Sequence, residues 1–284
     1  MNSSKRKGIL PSSSPKPAQL HFSEDGIPVQ IDISLPTGWE DLTQEELRTV
    51  LFCLAKHPRE EARTHAFIHL AGFQVVGRWK DLWLLRMRSG KRLCLASWQI
   101  LYAVQNHLDW MNDPPETPVR LKQLGKKPYP AAVDDQLQGL PFGHYLQLDI
   151  LYQSYLQSRD QAPLRAMATL LYPGAMPDQP SEPELLGVFL WMTSVKRLFS
   201  QLFPHLYRPA STSGSAEGLR QENSITREAL RQQTDAQIRA LTGGDVTREA
   251  AVLGIDTWRA LTELDAKARE AEDMRRQIQQ SRKK

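Results

Sequence analysis

The sequence predicts an α+β fold, predominantly helical, with small antiparallel strands in an N-terminal core followed by a C-terminal helical hairpin. Three observations predict it. "VQIDISLP" places Val29, Ile31, Ile33 and Leu35 at alternate positions, the period-2 pattern of a half-buried strand. Segments such as "FGHYLQLDILYQSYLQS" and "PELLGVFLWMTSVKRLFSQLF" are long enough for helices and lack internal breakers. "RPASTSGSAEGLRQENS" is small, polar and glycine-containing, the composition of a flexible linker, and the sequence beyond it is charged and helix-forming. Four regions follow: a disordered basic tail at 1–17, a mixed α+β core at 18–207, a linker at 208–224 and a helical hairpin at 225–284.

The elements follow in order. "AQLHF" precedes the first strand, and Asp25-Gly26 is a turn signal that makes it a hairpin partner. "LTQEEL" is a helix start: Thr43 caps the N–H of Glu46, Glu46 returns the bond, and Leu42 staples onto Leu47. That helix runs to Lys56, where His57-Pro58 interrupts it; a second spans Arg59 to Ala71 and stops at Gly72. "FQVVGRW" and "DLWLLRMR-SG-KRLCLA" return to strand, the latter a hairpin closing at Ser89-Gly90. Ser97 is expected to cap a helix ending near Asn112, and Pro114 to Pro130 to run extended. After two helices ending at Pro173-Gly174, Ser181 and Glu184 form a second capping box. They open a helix apolar on almost every side in its first three turns, expected at the centre of the core. Beyond the linker, "ITREALRQQTDAQIRALT" is one helix, Gly243-Gly244 turns the chain, and Asp245 caps a long helix to about Gln280.

Charge excludes less than the pI near 9.0 suggests. Lys5, Arg6, Lys7 and Lys16 lie in the first 17 residues, which hold no acid, and they account for the whole net charge of +4. The basicity belongs to a tail. Cys53 and Cys94 sit in apolar runs without a C-x-x-C partner and read as buried reduced thiols, which fits a cytoplasmic compartment. The N-terminus lacks the apolar segment of a secretory signal, and "LLGVFLWMTSV" is too short to span a bilayer. A soluble protein is expected.

The last helix poses the sharpest question. Val246, Ala250, Leu253, Thr257, Leu261, Leu264, Ala268, Ala271 and Ile278 gather on a wheel within about 100°. Leu230, Ile238 and Leu241 give the preceding helix a matching stripe, so the two consume each other. Glu263–Lys267, Asp265–Arg269 and Glu272–Arg276 lace the exposed faces, each pair worth only about 0.2–0.5 kcal/mol. On the same wheel Trp258 lies roughly 110° from the stripe's centre, with Ile255 nearly opposite it. Three readings stand: the pair docks onto the core or a like subunit, it anchors a different protein, or the tryptophan is simply exposed.

Catalytic and cofactor chemistry finds little purchase. His57, Glu61, His65 and His69 are spaced four apart, and His65 with His69 is a weak metal candidate on one helical face. Zinc wants three or four supported ligands, and the H-E-x-x-H arrangement is absent. Asp134-Asp135 reads as a turn, and Glu40-Asp41 as the acidic lead-in to a helix. There is no phosphate-cradling glycine motif, and "GSAEG" has alanine where a nucleophile elbow needs serine. "SKRK", "RLKQLGKKPYP" and "SRKK" are read as solvated tails and linker, and no aromatic residues interleave them as a nucleic-acid stacking platform requires. No catalytic residue, metal or cofactor is assigned.

"LPTGWEDLTQEELRTV", "LPFGHYLQLDILYQSYL", "VKRLFSQLFPHLYRP" and "DAQIRALTGGDVTREAAVLGIDTWRALTELDAKAREAED" together resemble a group of proteins encoded in bacterial prophages beside tail genes. The resemblance spans most of the chain after the tail. It implies a tail-assembly chaperone or adaptor that keeps a structural tail component soluble in the host cytoplasm. The expected function is therefore non-enzymatic phage assembly, with Ile255, Trp258, Leu261 and Leu264 carrying partner contacts and a homo-oligomer as a further option. The alternative is a nucleic-acid-associated protein that uses its basic tails.

Overall fold

The computed structural model describes residues 17–24, 27–80, 82–88, 93–97, 101, 106–125, 129–174, 180–207 and 227–282. The predicted linker, all of the basic tail but Pro17, and the turns at Asp25-Gly26 and Ser89-Gly90 lie outside the described residues. The fold is α+β and predominantly helical, as expected. Among the described residues no helix is long and apolar enough to cross a membrane.

The chain groups differently from the four expected regions. The chain forms two compact units, Met1–Pro115 and Glu116–Lys284, so the boundary falls after Pro114-Pro115. The reason is burial: Leu230, Ala260, Leu261 and Leu264 of the expected hairpin are all buried, which makes its helices part of the second unit's core.

In the first unit, strands β1 (Pro17–Glu24), β2 (Ile27–Ser34), β3 (Phe73–Trp79), β4 (Leu82–Met87) and β5 (Leu93–Ser97) form one antiparallel sheet in the order β2-β1-β5-β4-β3. Helices α1 (Gln44–Lys56) and α2 (Arg59–Leu70) pack on each other, and α2 packs on β3. The capping box is present: Glu46 N donates to Thr43 Oγ1 at 3.3 Å, and Thr43 N donates to Glu46 Oε2 at 2.8 Å. Gly72 ends α2 at φ +76°, a conformation that an L side chain rarely adopts. Val50, Leu51, Phe67, Ile68, Phe73 and Leu85 are buried and form the core. The ladder takes Ser97 as the partner of Leu82, most of the helix expected after it lies outside the described residues, and Asn106–Asn112 is a 3-10 segment. That segment is held by a tryptophan pair. Trp39 Nε1 donates to the carbonyls of Asp113 (2.9 Å) and Trp110 (3.2 Å), Trp110 Nε1 donates to Pro36 O (3.2 Å), and the rings meet edge-on at 5.1 Å.

The second unit begins with a two-stranded ladder, β6 (Gln123–Leu124) with β7 (Tyr129–Pro130), inside the stretch expected to be extended. The ladder forms because Leu121 and Leu124 are buried and the Tyr172 hydroxyl donates to Leu121 O at 2.7 Å. Helices α3 (Phe142–Ser158), α4 (Ala162–Leu171) and α5 (Glu182–Leu202) follow. No residue of α5 from Glu184 to Lys196 is exposed, so the apolar helix does occupy the centre. Its start is fastened by Glu184, whose Oε2 accepts from Ser181 N (2.9 Å) and whose Oε1 accepts from Gly125 N (2.7 Å). α6 (Arg227–Thr242) leads into Gly243-Gly244, both with positive φ. α7 (Glu249–Leu253) and α8 (Thr257–Arg282) complete the chain.

Cys53 is fully packed on the buried face of α1, and burial pushes its thiol up to about 11; the Cys94 side chain lies outside the described ones. Because only thiolate reacts, a thiol reagent at pH 8 should leave Cys53 unmodified in the native protein and label it after denaturation, as read by peptide mass spectrometry. Rapid native labelling of Cys53 would contradict this packing.

Candidate functional site

The long helix expected from Asp245 to Gln280 is broken. Asp245 caps a short 3-10 turn by accepting from Thr247 N at 3.0 Å, α7 lasts only to Leu253, and α8 begins afresh at Thr257. Between them, Gly254 to Asp256 is stitched to the start of α3. Phe142 N donates to Ile255 O (2.8 Å), Gly139 N to Asp256 Oδ2 (2.8 Å), and Thr257 N and Oγ1 to Leu140 O (2.9 and 2.6 Å). The other Asp256 oxygen caps α8, accepting from Trp258 N at 2.9 Å and Arg259 N at 3.2 Å. Gly143 has room for Leu253 only because it lacks a side chain: an added Cβ would lie 3.3 Å from the leucine Cβ.

That break takes Ile255 off the wheel, while Trp258 stays on α8, about 110° from the Leu261/Leu264 stripe. An angle measured through Gly254–Asp256 has no meaning once the helix stops there. Trp258 faces its own unit: its indole Nε1 donates to Gln136 O at 2.8 Å, and its ring meets Phe199 at 5.6 Å and Phe203 at 6.1 Å, both edge-on. Ile255 is half-buried, while Leu261 (0% exposed) and Leu264 (4%) are interior. Of the four residues expected to carry partner contacts, Leu261 and Leu264 are thus interior, and Ile255 and Trp258 are half-buried against their own unit. They hold the last helix to its own core, the first of the three readings.

The same helix carries a different free surface. Its docking continues through Asp265, whose Oδ1 accepts from His205 N (2.8 Å) and Leu206 N (2.9 Å), through Lys267, which donates to Ala240 O (2.9 Å), and through Glu272, which meets His205 Nδ1 at 3.4 Å. From Asp273 to Ser281 every residue is exposed, about 13 Å of helix. On that stretch Met274 (64% exposed) and Ile278 (48%) stand one turn apart, with exposed Ala271 one turn before. The expected exposed pairs Glu263–Lys267 (3.7 Å) and Glu272–Arg276 (3.8 Å) are present, whereas Asp265 spends its oxygen on the His205 and Leu206 amides.

His65 and His69 do not come together as a chelate. His65 stacks on His57 at 3.9 Å, and His69 Nδ1 faces the Arg88 guanidinium at 2.9 Å, a cation where a metal would need to approach. Among the described residues no group of three or more His, Cys, Asp or Glu is placed to hold a metal.

Sequence reasoning missed one polar cluster. Lys196 on α5 and Asp149 on α3 form a 2.7 Å ion pair, and the Tyr145 and Tyr207 hydroxyls share a 2.6 Å hydrogen bond. The Lys196 ammonium lies 5.1 Å from the Tyr207 ring and 5.9 Å from that of Tyr145. Burial pulls the Lys196 ammonium down, but Asp149 and Tyr207 outweigh it and its pKa is raised, so it stays charged; burial also raises both tyrosines, which stay neutral. The cluster is a clamp between helices. Its signal was available as the one lysine of α5 and the one aspartate of α3.

Two stability outcomes follow from this geometry. Trp258→Ala removes an anchored aromatic and should cost about 3 kcal/mol of unfolding free energy in urea; an unchanged midpoint would return Trp258 to the surface. Asp149→Asn leaves Lys196 charged and unpaired and should cost about 3 kcal/mol, largely recovered in Asp149→Leu/Lys196→Met. No protein-family model, curated protein or solved structure matches the chain.

Proposed function

We propose that this protein is a non-enzymatic phage assembly protein, a tail-assembly chaperone or adaptor of the host cytoplasm that holds a structural tail component through the last turns of α8. The observation that carries the reading is the exposed row of Ala271, Met274 and Ile278, the last two on residues 273–281, a stretch in which every residue is exposed on a helix docked up to Glu272. An amphipathic helical segment held out from a rigid base matches the helix-in-groove mode of recognition, in which anchors at i, i+3 and i+7 fill apolar pockets. Methionine suits that task, because its unbranched thioether adapts to irregular surfaces. The surrounding ion pairs join exposed Arg276 to half-buried Glu272 and exposed Asp273, and they support helix formation rather than binding.

The likeness of the sequence to prophage proteins encoded beside tail genes supplies the class of partner. The binding residues are Met274 and Ile278 in place of Ile255 and Trp258. When the protein is purified from its native operon, a tail component should come with it. Met274→Ser/Ile278→Ser should weaken that capture about tenfold or more while leaving the melting temperature unchanged, because both side chains already face solvent. Undiminished capture by the double variant would refute the assignment of the contact to α8.

A further inference from the structure

The histidines that fail as a metal site form a different arrangement. His57, at the end of α1, and His65, on α2, stack with their rings 3.9 Å apart and only 14° from parallel. The other side of the arrangement is the sheet: His65 meets Trp83 of β4 edge-on at 5.6 Å, and Arg78 of β3 lies 5.2 Å from the same tryptophan ring. One turn further along α2, the Arg88 guanidinium donates to His69 Nδ1 at 2.9 Å. His65 and His69 thus tie α2 to Trp83 of β4 and to Arg88 just beyond it, on a helix whose Ala62, Ala66 and Phe67 are fully buried.

The Arg88 contact requires a neutral ring, and the stack tolerates at most one charged ring. A guanidinium has donors and no lone pair to offer, so His69 Nδ1 must be unprotonated to receive it. Protonation there sets a donor against a donor and a cation against a cation. In the stack, two imidazolium rings at 3.9 Å repel across a half-buried gap that water cannot fully screen.

We propose that this cluster is an acid-release latch, in which protonation of the histidines loosens α2 from β4 and opens the first unit locally. The charged groups facing it are Glu61 on α2, which favours protonated His65, and Arg88, which opposes protonation of His69; Arg78 lies over Trp83. Burial, then His57, lowers the His65 pKa against the pull of Glu61, and burial, then Arg88, lowers that of His69. Histidines with depressed folded-state pKa values let the unfolded chain take up protons first as pH falls below about 6.5, so stability is full above that pH and declines below it. The decline ends once the folded-state values are passed and both states are protonated.

Hydrogen–deuterium exchange on the full-length protein tests the latch. Between pH 7.5 and pH 5.0, after correction for intrinsic exchange, peptides covering 59–70 and 82–88 should lose protection while α5 keeps it. Uniform loss across both units, or none, overturns the proposal. His57→Phe/His69→Gln keeps a stacking ring and an acceptor for Arg88 without a titrating group. The wild-type melting temperature should fall by about 5 °C over this interval, and the fall should at least halve in the double variant. An equal fall in the variant overturns the proposal as well. Should the variant fold poorly, a histidine-ring NMR titration of the wild type decides: His65 and His69 titrating at or above about 6.5 would exclude the latch.

Discussion

The second unit depends on the backbone of one turn. Asp134 Oδ1 accepts from Gln136 N and Gln138 N, which folds the chain tightly and puts Leu137 at φ +60°, an uncommon position for leucine. Backbone atoms of that turn and the residues just after it then meet side chains from α5 and from the start of α8. Asp135 O takes the Trp191 indole of α5 at 2.6 Å, Gln136 O takes the Trp258 indole of α8 at 2.8 Å, Gly139 N reaches Asp256, and Leu140 O is shared by both donors of Thr257. Two tryptophans are thereby fixed at both ends, the ring in the core and the nitrogen on the turn. The strain at Leu137 persists because its surroundings over-determine it.

The start of α8 is set at that turn. A helix cannot continue through Gly254–Asp256 while Ile255 O and Thr257 N are pairing with Phe142 and Leu140, so α8 must restart there, capped by Asp256. Restarting rotates its apolar face onto Phe199 and Phe203. The helix is then long enough to outlast its own support at Glu272, and the proposed contact surface is the remainder. The proposed function therefore rests on a length mismatch between α8 and the unit that holds it.

Much of this was legible in local chemistry. The boundaries of α1, α3, α4 and α5, the capping box at Thr43, the Gly243-Gly244 turn and the strands at β2, β3 and β4 all followed from patterns within about ten residues, because caps, periodicity and breakers act at that range. The candidate site was legible only in part. The sequence placed Trp258 off the hairpin stripe, but it could not show that Gln136, Phe199 and Phe203 cover that face, or that Ile255 lies in a break before the helix. An aspartate two residues after a glycine carries the signal of a new N-cap, and reading it as one would have split the helix. The Lys196–Asp149 pair and the histidine stack join separate helices, and no spacing rule within one helix connects them.

By itself, then, the sequence determined the class of the fold, the extent of most helices and strands, and the neutral balance of everything beyond the basic tail. Tertiary structure alone decided where the units divide, which apolar side chains of the last helix are spent internally, and which histidines touch. The physical reason is the range of the interactions. A cap or an apolar stripe is satisfied by neighbours in the chain, whereas an indole N–H, a buried ammonium or a leucine face is satisfied only by whatever the folded chain brings to it from far away.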